Sequence, residues 1–140
     1  MSRDTTTVLV VALDGERYCV HNDRVANVLG EGELVRGEGE RPTGVGELRV
    51  DGTTVEVLDV ARLFGVRAER GYEGRYVVAF HGITDGRAVG WLVDDVVGVE
   101  DVDEDAVTEA PETLEHVAGR FRADGERTVW LDAAAINARP

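Results

Sequence analysis

The sequence predicts an all-β protein of paired small β-barrels with short helices, and two observations carry that expectation. The first is internal repetition. Val10-Val11-Ala12-Leu13, the turn pair Asp14-Gly15 and Asp23-Arg24-Val25-Ala26-Asn27-Val28 are answered by Val77-Val78-Ala79-Phe80, Asp85-Gly86 and Asp94-Asp95-Val96-Val97-Gly98-Val99. The segment from Gly52 to Leu63 is likewise answered by Gly125 to Ile136, the copies lying about 70 residues apart. The second is that short apolar runs rich in β-branched residues alternate with Gly-containing turns, which is the pattern of many short strands.

The elements follow in order. Residues 8–13 are uniformly apolar, so both faces of a first strand are expected to be covered, and Asp14-Gly15 followed by Tyr18 and Val20 closes a hairpin. Asn22 or Asp23 is placed to cap one short helical turn running through Val25-Ala26-Asn27-Val28 and ending at Gly30. Residues 30–46 hold glycines at 30, 32, 37, 39, 44 and 46 together with Pro42, which reads as a long polar loop. Leu48 and Val50 lead into Asp51-Gly52 and on to Val55 and Val57, a second hairpin. Asp59 is then expected to cap a short helix with Ala61, Leu63 and Phe64, closed by Gly65. In the second copy, Arg75 to Phe80 and Ala88 to Val93 pair, Val96, Val97 and Val99 follow, and Asp132 caps a terminal helix over Ala133 to Asn137. Each half, about 8–65 and 75–138, is too small to be stable alone, so residues 1–140 are read as one domain with a shared core.

Charge narrows the function. The chain carries 28 acidic against 15 basic residues, a formal −13, and every basic residue is arginine. That balance reads as adaptation to molar salt, where screening acts over about 3 Å and self-repulsion is relieved. Nucleic acid is disfavoured, because binding its backbone needs concentrated positive charge. No apolar run approaches the roughly 18 residues that span a bilayer, and Met1-Ser2-Arg3-Asp4 does not open a signal peptide. A cytoplasmic protein without membrane insertion is expected. The single cysteine, Cys19, lies in a strand pattern and reads as a small buried hydrophobe.

No reaction chemistry emerges from the pattern. His21, His81 and His116 are scattered without metal-ligand spacing, and no nucleophile elbow or phosphate loop is present. Acids at positions 1, 3, 5, 9 and 12 of Asp101 to Glu112 imitate a calcium loop, but Ala106 stands where the sharp turn needs Gly. Catalytic residues, cofactor and metal are therefore all expected to be absent, with a calcium or small-ligand module kept as an alternative.

Gly46-Glu47-Leu48-Arg49-Val50-Asp51-Gly52 through Leu63-Phe64-Gly65 resembles the signature of CheW-like domains, and Val89-Gly90-Trp91-Leu92-Val93-Asp94 to Val99 resembles that family's second motif. With the opening hairpin and the terminal Leu131-Asp132 step, the resemblance covers about residues 8–138. It implies two pseudo-symmetric, intertwined five-stranded SH3-like barrels and a non-enzymatic adaptor. Such an adaptor would join the cytoplasmic tip of a chemoreceptor to the regulatory domain of a CheA-like histidine kinase and be monomeric on its own. The acidity adds the setting of a halophilic archaeon. Matching motif positions point to Val25, Asn27, Asp51 and Gly52 as partner-binding residues. The family's Glu, Arg and Pro are replaced here by Asn27, Asp51 and Glu56. If the Glu and Arg form an ion pair in the family, both partners have been removed, and a diverged module that has lost receptor coupling is the alternative reading.

Overall fold

The structure is a computed structural model that describes residues 5–13, 15–30, 34–37, 44–61, 76–82, 87–109, 116–123 and 125–138. Its strands in chain order are β1 (Thr5–Leu13), β2 (Glu16–His21), β3 (Val25–Gly30), β4 (Val35–Arg36), β5 (Gly44–Val50) and β6 (Thr53–Leu58). The second copy supplies β7 (Tyr76–Phe80), β8 (Arg87–Val93), β9 (Asp95–Asp103), β10 (Thr108–Glu109), β11 (Val117–Ala123) and β12 (Glu126–Leu131), followed by helix α1 (Ala133–Asn137). Short 3-10 turns occupy Asn22–Arg24 and Glu104–Ala106.

Two compact units result. Unit 1 comprises Met1–Arg24 and Val96–Arg139, and unit 2 comprises Val25–Asp95. Unit 1 is one sheet ordered β10-β11-β12-β2-β1-β9, and unit 2 is one sheet ordered β3-β7-β8-β6-β5-β4. If β1–β6 of the first copy are matched in turn to β7–β12 of the second, the two orders are identical. The units nevertheless do not coincide with the copies. The β1–β2 hairpin joins the later strands of the second copy, while β7–β8 joins the later strands of the first. This exchange is what intertwines the repeat. Each sheet has five main strands and a sixth of two residues, β10 or β4, at one edge.

The joints between copies agree residue by residue. In unit 1 the parallel β12–β2 pair sets Thr128 against Arg17 and Trp130 against Cys19. In unit 2 the parallel β6–β8 pair sets Val55 against Ala88 and Val57 against Gly90, the matching positions of the repeat. Both β5 and β11 also break register at the same place, between Gly44 and Gly46 and between Val117 and Gly119. The first motif is less regular. Val10 faces Cys19 and Ala79 faces Gly90, so the ladders match Val10 to Ala79 rather than to Val77, a two-residue slip that keeps the same face inward.

The cores follow from alternation. Val8, Val10, Cys19, Val102, Phe121 and Trp130 form the core of unit 1, with Phe121 and His21 both ring-packed on Trp130. Leu48, Val55, Val57, Val77, Ala79, Ala88 and Leu92 form that of unit 2. Both faces of β1 are buried over Val8–Val11, as its unbroken apolar run predicts. Burial, aided by the nearby charge of Glu100, pushes the Cys19 thiol well above its usual range and keeps it neutral and unreactive.

Three two-residue Asp-Gly connections set the hairpin registers: Leu13 faces Glu16, Val50 faces Thr53 and Ala123 faces Glu126. The second turn is described in full, with Asp51 at φ 47° and Gly52 at φ 81°, the left-handed pair of a type I′ turn. At the terminal helix, Asp132 accepts a hydrogen bond from the Ala135 amide at 3.1 Å, the expected cap. The expected helix after Asp59 is described only through Ala61. Leu63, Phe64 and Gly65 lie outside the described residues, as do Pro42 and the Asp85-Gly86 turn.

Two sequence expectations fail. The helical turn after Asn22 stops at Arg24, and Val25–Gly30 is strand β3, antiparallel to β7. Six residues with two valines are too few to nucleate a helix, and an available partner strand outweighs the capping signal. The polar loop over 30–46 is likewise interrupted, by β4 and by the start of β5 at Gly44.

Candidate functional site

Among the described residues no group of three His, Cys, Asp or Glu side chains is placed to hold a metal ion. Asp101, Val102 and Asp103 of the calcium-like segment lie on extended strand β9, where they cannot wrap an ion as loop positions 1 and 3 must. Thr7 Oγ1 donates to Asp101 at 2.6 Å, and Asp103 accepts from the Asp105 amide at 2.9 Å, so both carboxylates serve local structure. Positions 110–112 of that segment lie outside the described residues.

All four sequence-predicted contact residues belong to unit 2. Val25 is half-buried at the start of β3, and Asn27 is exposed two residues on. Register shifts between them, because Val25 faces Phe80 while Asn27 faces Ala79. The bulge bends an edge strand and re-aims its side chains outward. Val28, the next residue, is 42% exposed, an apolar contact that sequence reasoning left out. Strand β9 holds the corresponding edge of unit 1 and shows Val97 and Val99 in the same way. Strict alternation of Val97, Val99 and Asp101 on its exposed face is the signal that could have found it.

Asp51 and Gly52 are exposed at the tip of the β5–β6 hairpin. They are not neighbours of Asn27 in the sheet. Asn27 shares its row with Ala79, Gly90 and Val57, and Gly52 lies five residues before Val57 on the hairpin, roughly 16 Å along the strand. Three strand spacings separate the rows as well. Neither ladder sets Asn27 directly opposite Asp51. Asp51 has its own explanation, since Asp tolerates the left-handed backbone that a type I′ turn imposes. Glu56, the third departure, sits mid-strand opposite Glu47, whose carboxylate is held by Arg87 at 2.8 Å.

A consequence can be measured. Asp51→Arg should cost about 1 kcal/mol of stability, because a long side chain is placed at positive φ, while Asp51→Asn should be neutral. Adding Asn27→Glu should change nothing beyond its own effect. Urea melts of the two single variants and the double variant decide it: coupling beyond about 0.5 kcal/mol would put the two side chains in contact after all.

A repeated strand order, exchanged hairpins and exposed apolar edge strands define a class: a duplicated all-β domain. The CheW-like domain family matches residues 7–139, nearly the whole chain, and the chain belongs to that family. Among solved structures, it is similar to the scaffolding protein TtCheW from Thermoanaerobacter tengcongensis, with a TM-score of 0.77 and 20% sequence identity. That likeness covers 92% of this chain and 90% of the other. A comparison with curated proteins finds no match.

Proposed function

We propose that this chain is a non-enzymatic chemotaxis adaptor that couples chemoreceptors to a CheA-type histidine kinase in the cytoplasm. The observation that supports this most is the extent of the family match, which runs through both units rather than through one. The relative of the same fold is described as a scaffolding protein. The contact residues offered are Val25, Asn27, Asp51 and Gly52, to which the exposed Val28 is added. Among the described residues no helix is long and apolar enough to cross a membrane. The test is calorimetric titration of the full chain with the regulatory domain of a CheA-type kinase from the same organism. Saturable one-to-one binding, weakened by Val28→Glu, is expected; absence of binding in both low and molar salt overturns the adaptor reading.

Asn27, Asp51 and Glu56 favour a second reading, in which the module keeps the kinase and has lost the receptor. Receptor-tip binding measured beside kinase binding separates the two, since only the first reading expects both.

Adaptation to a halophile's salt is part of the proposal. With 28 acids against 15 bases, self-repulsion is unscreened in dilute buffer, so the thermal midpoint should climb with potassium chloride into the molar range. A flat or falling midpoint would assign the acidity another role.

A further inference from the structure

The terminal hairpin of unit 1 brings three of the chain's 15 arginines together. Along β11, Arg120 and Arg122 alternate with the buried Phe121, and Arg122 stands directly opposite Arg127 of β12. All three arginines are exposed and share one face of the hairpin. Like charges paired across a ladder oppose folding. Among the described residues none of the three takes part in an ion pair. Arg122 Nη1 donates to the Gly125 carbonyl at 3.1 Å, which holds it beside the turn.

The repeat supplies an internal control. The matching positions of unit 2 are Glu47, Arg49 and Thr54, and Glu47 is neutralised by Arg87 at 2.8 Å. In unit 1 the place of Arg87 is held by Glu16, so unit 1 reverses the Glu47–Arg87 arrangement and adds Arg127 where unit 2 has Thr54. The arginines border a depression of about 640 Å³ that also takes in Phe121 and Ala106. It lies where β10, paired to β11 only at Gly119 and Arg120, stops covering the β11 edge. A neighbouring depression of about 370 Å³ shares Ala106, Phe121 and Arg122 but is walled by Glu100, Asp101 and Asp103.

We propose that the Arg120–Arg122–Arg127 face is a docking site for a short, extended, acidic peptide segment of a partner protein. The spacing is the first argument. Two residues of strand separate Arg120 from Arg122 by about 7 Å, the same repeat that separates alternate carboxylates of an extended peptide. The carboxylate wall is the second, because a long polyanion would run from the arginines onto Glu100, Asp101 and Asp103, while a short acidic stretch stops before them. Charge number is the third: three arginines can meet a few carboxylates of a short segment, whereas a nucleic acid carries a phosphate at every nucleotide. The site belongs to unit 1, whereas the contact residues offered above belong to unit 2, and it does not depend on the adaptor reading.

The test is fluorescence anisotropy of a labelled peptide alternating glutamate with threonine, titrated with the full chain at low salt. Saturable binding is expected, weakening as salt rises. Arg120→Gln, Arg122→Gln and Arg127→Gln should each weaken it about two- to fivefold, and the triple variant should abolish it. Arg49→Gln, the matching change in unit 2, should leave it unaltered. Circular dichroism and thermal melts check that each variant is folded. Unchanged binding in the folded triple variant overturns the proposal, as does tighter binding of inorganic phosphate or of a single-stranded oligonucleotide than of the peptide. Self-association of the chain without peptide, lost in the triple variant, would reassign the face to a second copy and overturn it too.

Discussion

Trp91→Ala is expected to lower the stability of unit 2 by about 3–5 kcal/mol, the range for deleting a large buried aromatic. Trp91 is 1% exposed in the middle of β8, between Val78 of β7 and Leu58 of β6, and it packs edge-on against Phe80 with ring centroids 4.6 Å apart. Strand β8 is buried on both faces from Ala88 onward except at the half-buried Val89, so little can relax into the space left by the indole. The loss should not stay in unit 2. Unit 1 is assembled from segments on either side of Val25–Asp95, so melting unit 2 leaves a loop of about 70 residues whose closure costs roughly 4 kcal/mol. In the variant, Trp130 of unit 1 is the remaining tryptophan, and its fluorescence reads that unit alone. Urea titration followed by Trp130 emission and by far-ultraviolet circular dichroism should give coincident transitions at a lowered midpoint. A Trp130 transition left at its original midpoint would show that the units melt independently.

The duplication was legible because strand alternation and Asp-Gly turns are local signals. Asp51-Gly52 sets Val50 against Thr53, and with that register every inward residue of β5 and β6 follows. The hairpin exchange could not be read in the same way. A tandem repeat fits equally well with each copy closing on itself, and the strands that join the copies, β12 to β2 and β6 to β8, pair in parallel across long sequence separations that no local pattern marks. It was the family resemblance that implied intertwining. The reading of Val25–Gly30 as helix failed for the reason that short apolar runs usually mislead: its six residues suit either state, and the ladder to β7 decides. Asn27 and Asp51 were linked by motif alone, which carries no distance. The arginine face was within reach of the sequence, since Arg-Phe-Arg alternation at 120–122 and the Asp-Gly turn at 124–125 together place Arg122 opposite Arg127. The whole-chain charge of −13 masks it, because acids elsewhere outnumber these three arginines.

Valine at Gly90 should cost about 3 kcal/mol, near the upper end of what overpacking a tight core exacts. A Cβ on Gly90 would lie 2.9 Å from Val55 Cγ1, 2.9 Å from Val77 Cγ1 and 3.2 Å from the Val78 carbonyl oxygen. None of these can withdraw easily. Gly90 is locked between Val57 in a parallel ladder and Ala79 in an antiparallel one, and Val55 and Val77 are themselves buried in the core of unit 2. The matching position of unit 1 is Cys19, fully buried, so the fold admits a side chain at this place in one copy and excludes it in the other. Val8 and Thr128 hold the places of Val77 and Val55 in unit 1, so the obstruction comes from how closely the two valines approach Gly90 in unit 2, and shortening one of them should relieve it. On a Val77→Ala background, Gly90→Ala is expected to cost at least about 1 kcal/mol less than in the natural sequence, a coupling typical of residues in contact. Urea midpoints of the four proteins in that cycle supply the number. Additive losses, or a Gly90→Val protein that melts where the natural one does, would mean that β6 and β7 part readily and that the glycine is not needed for their close approach.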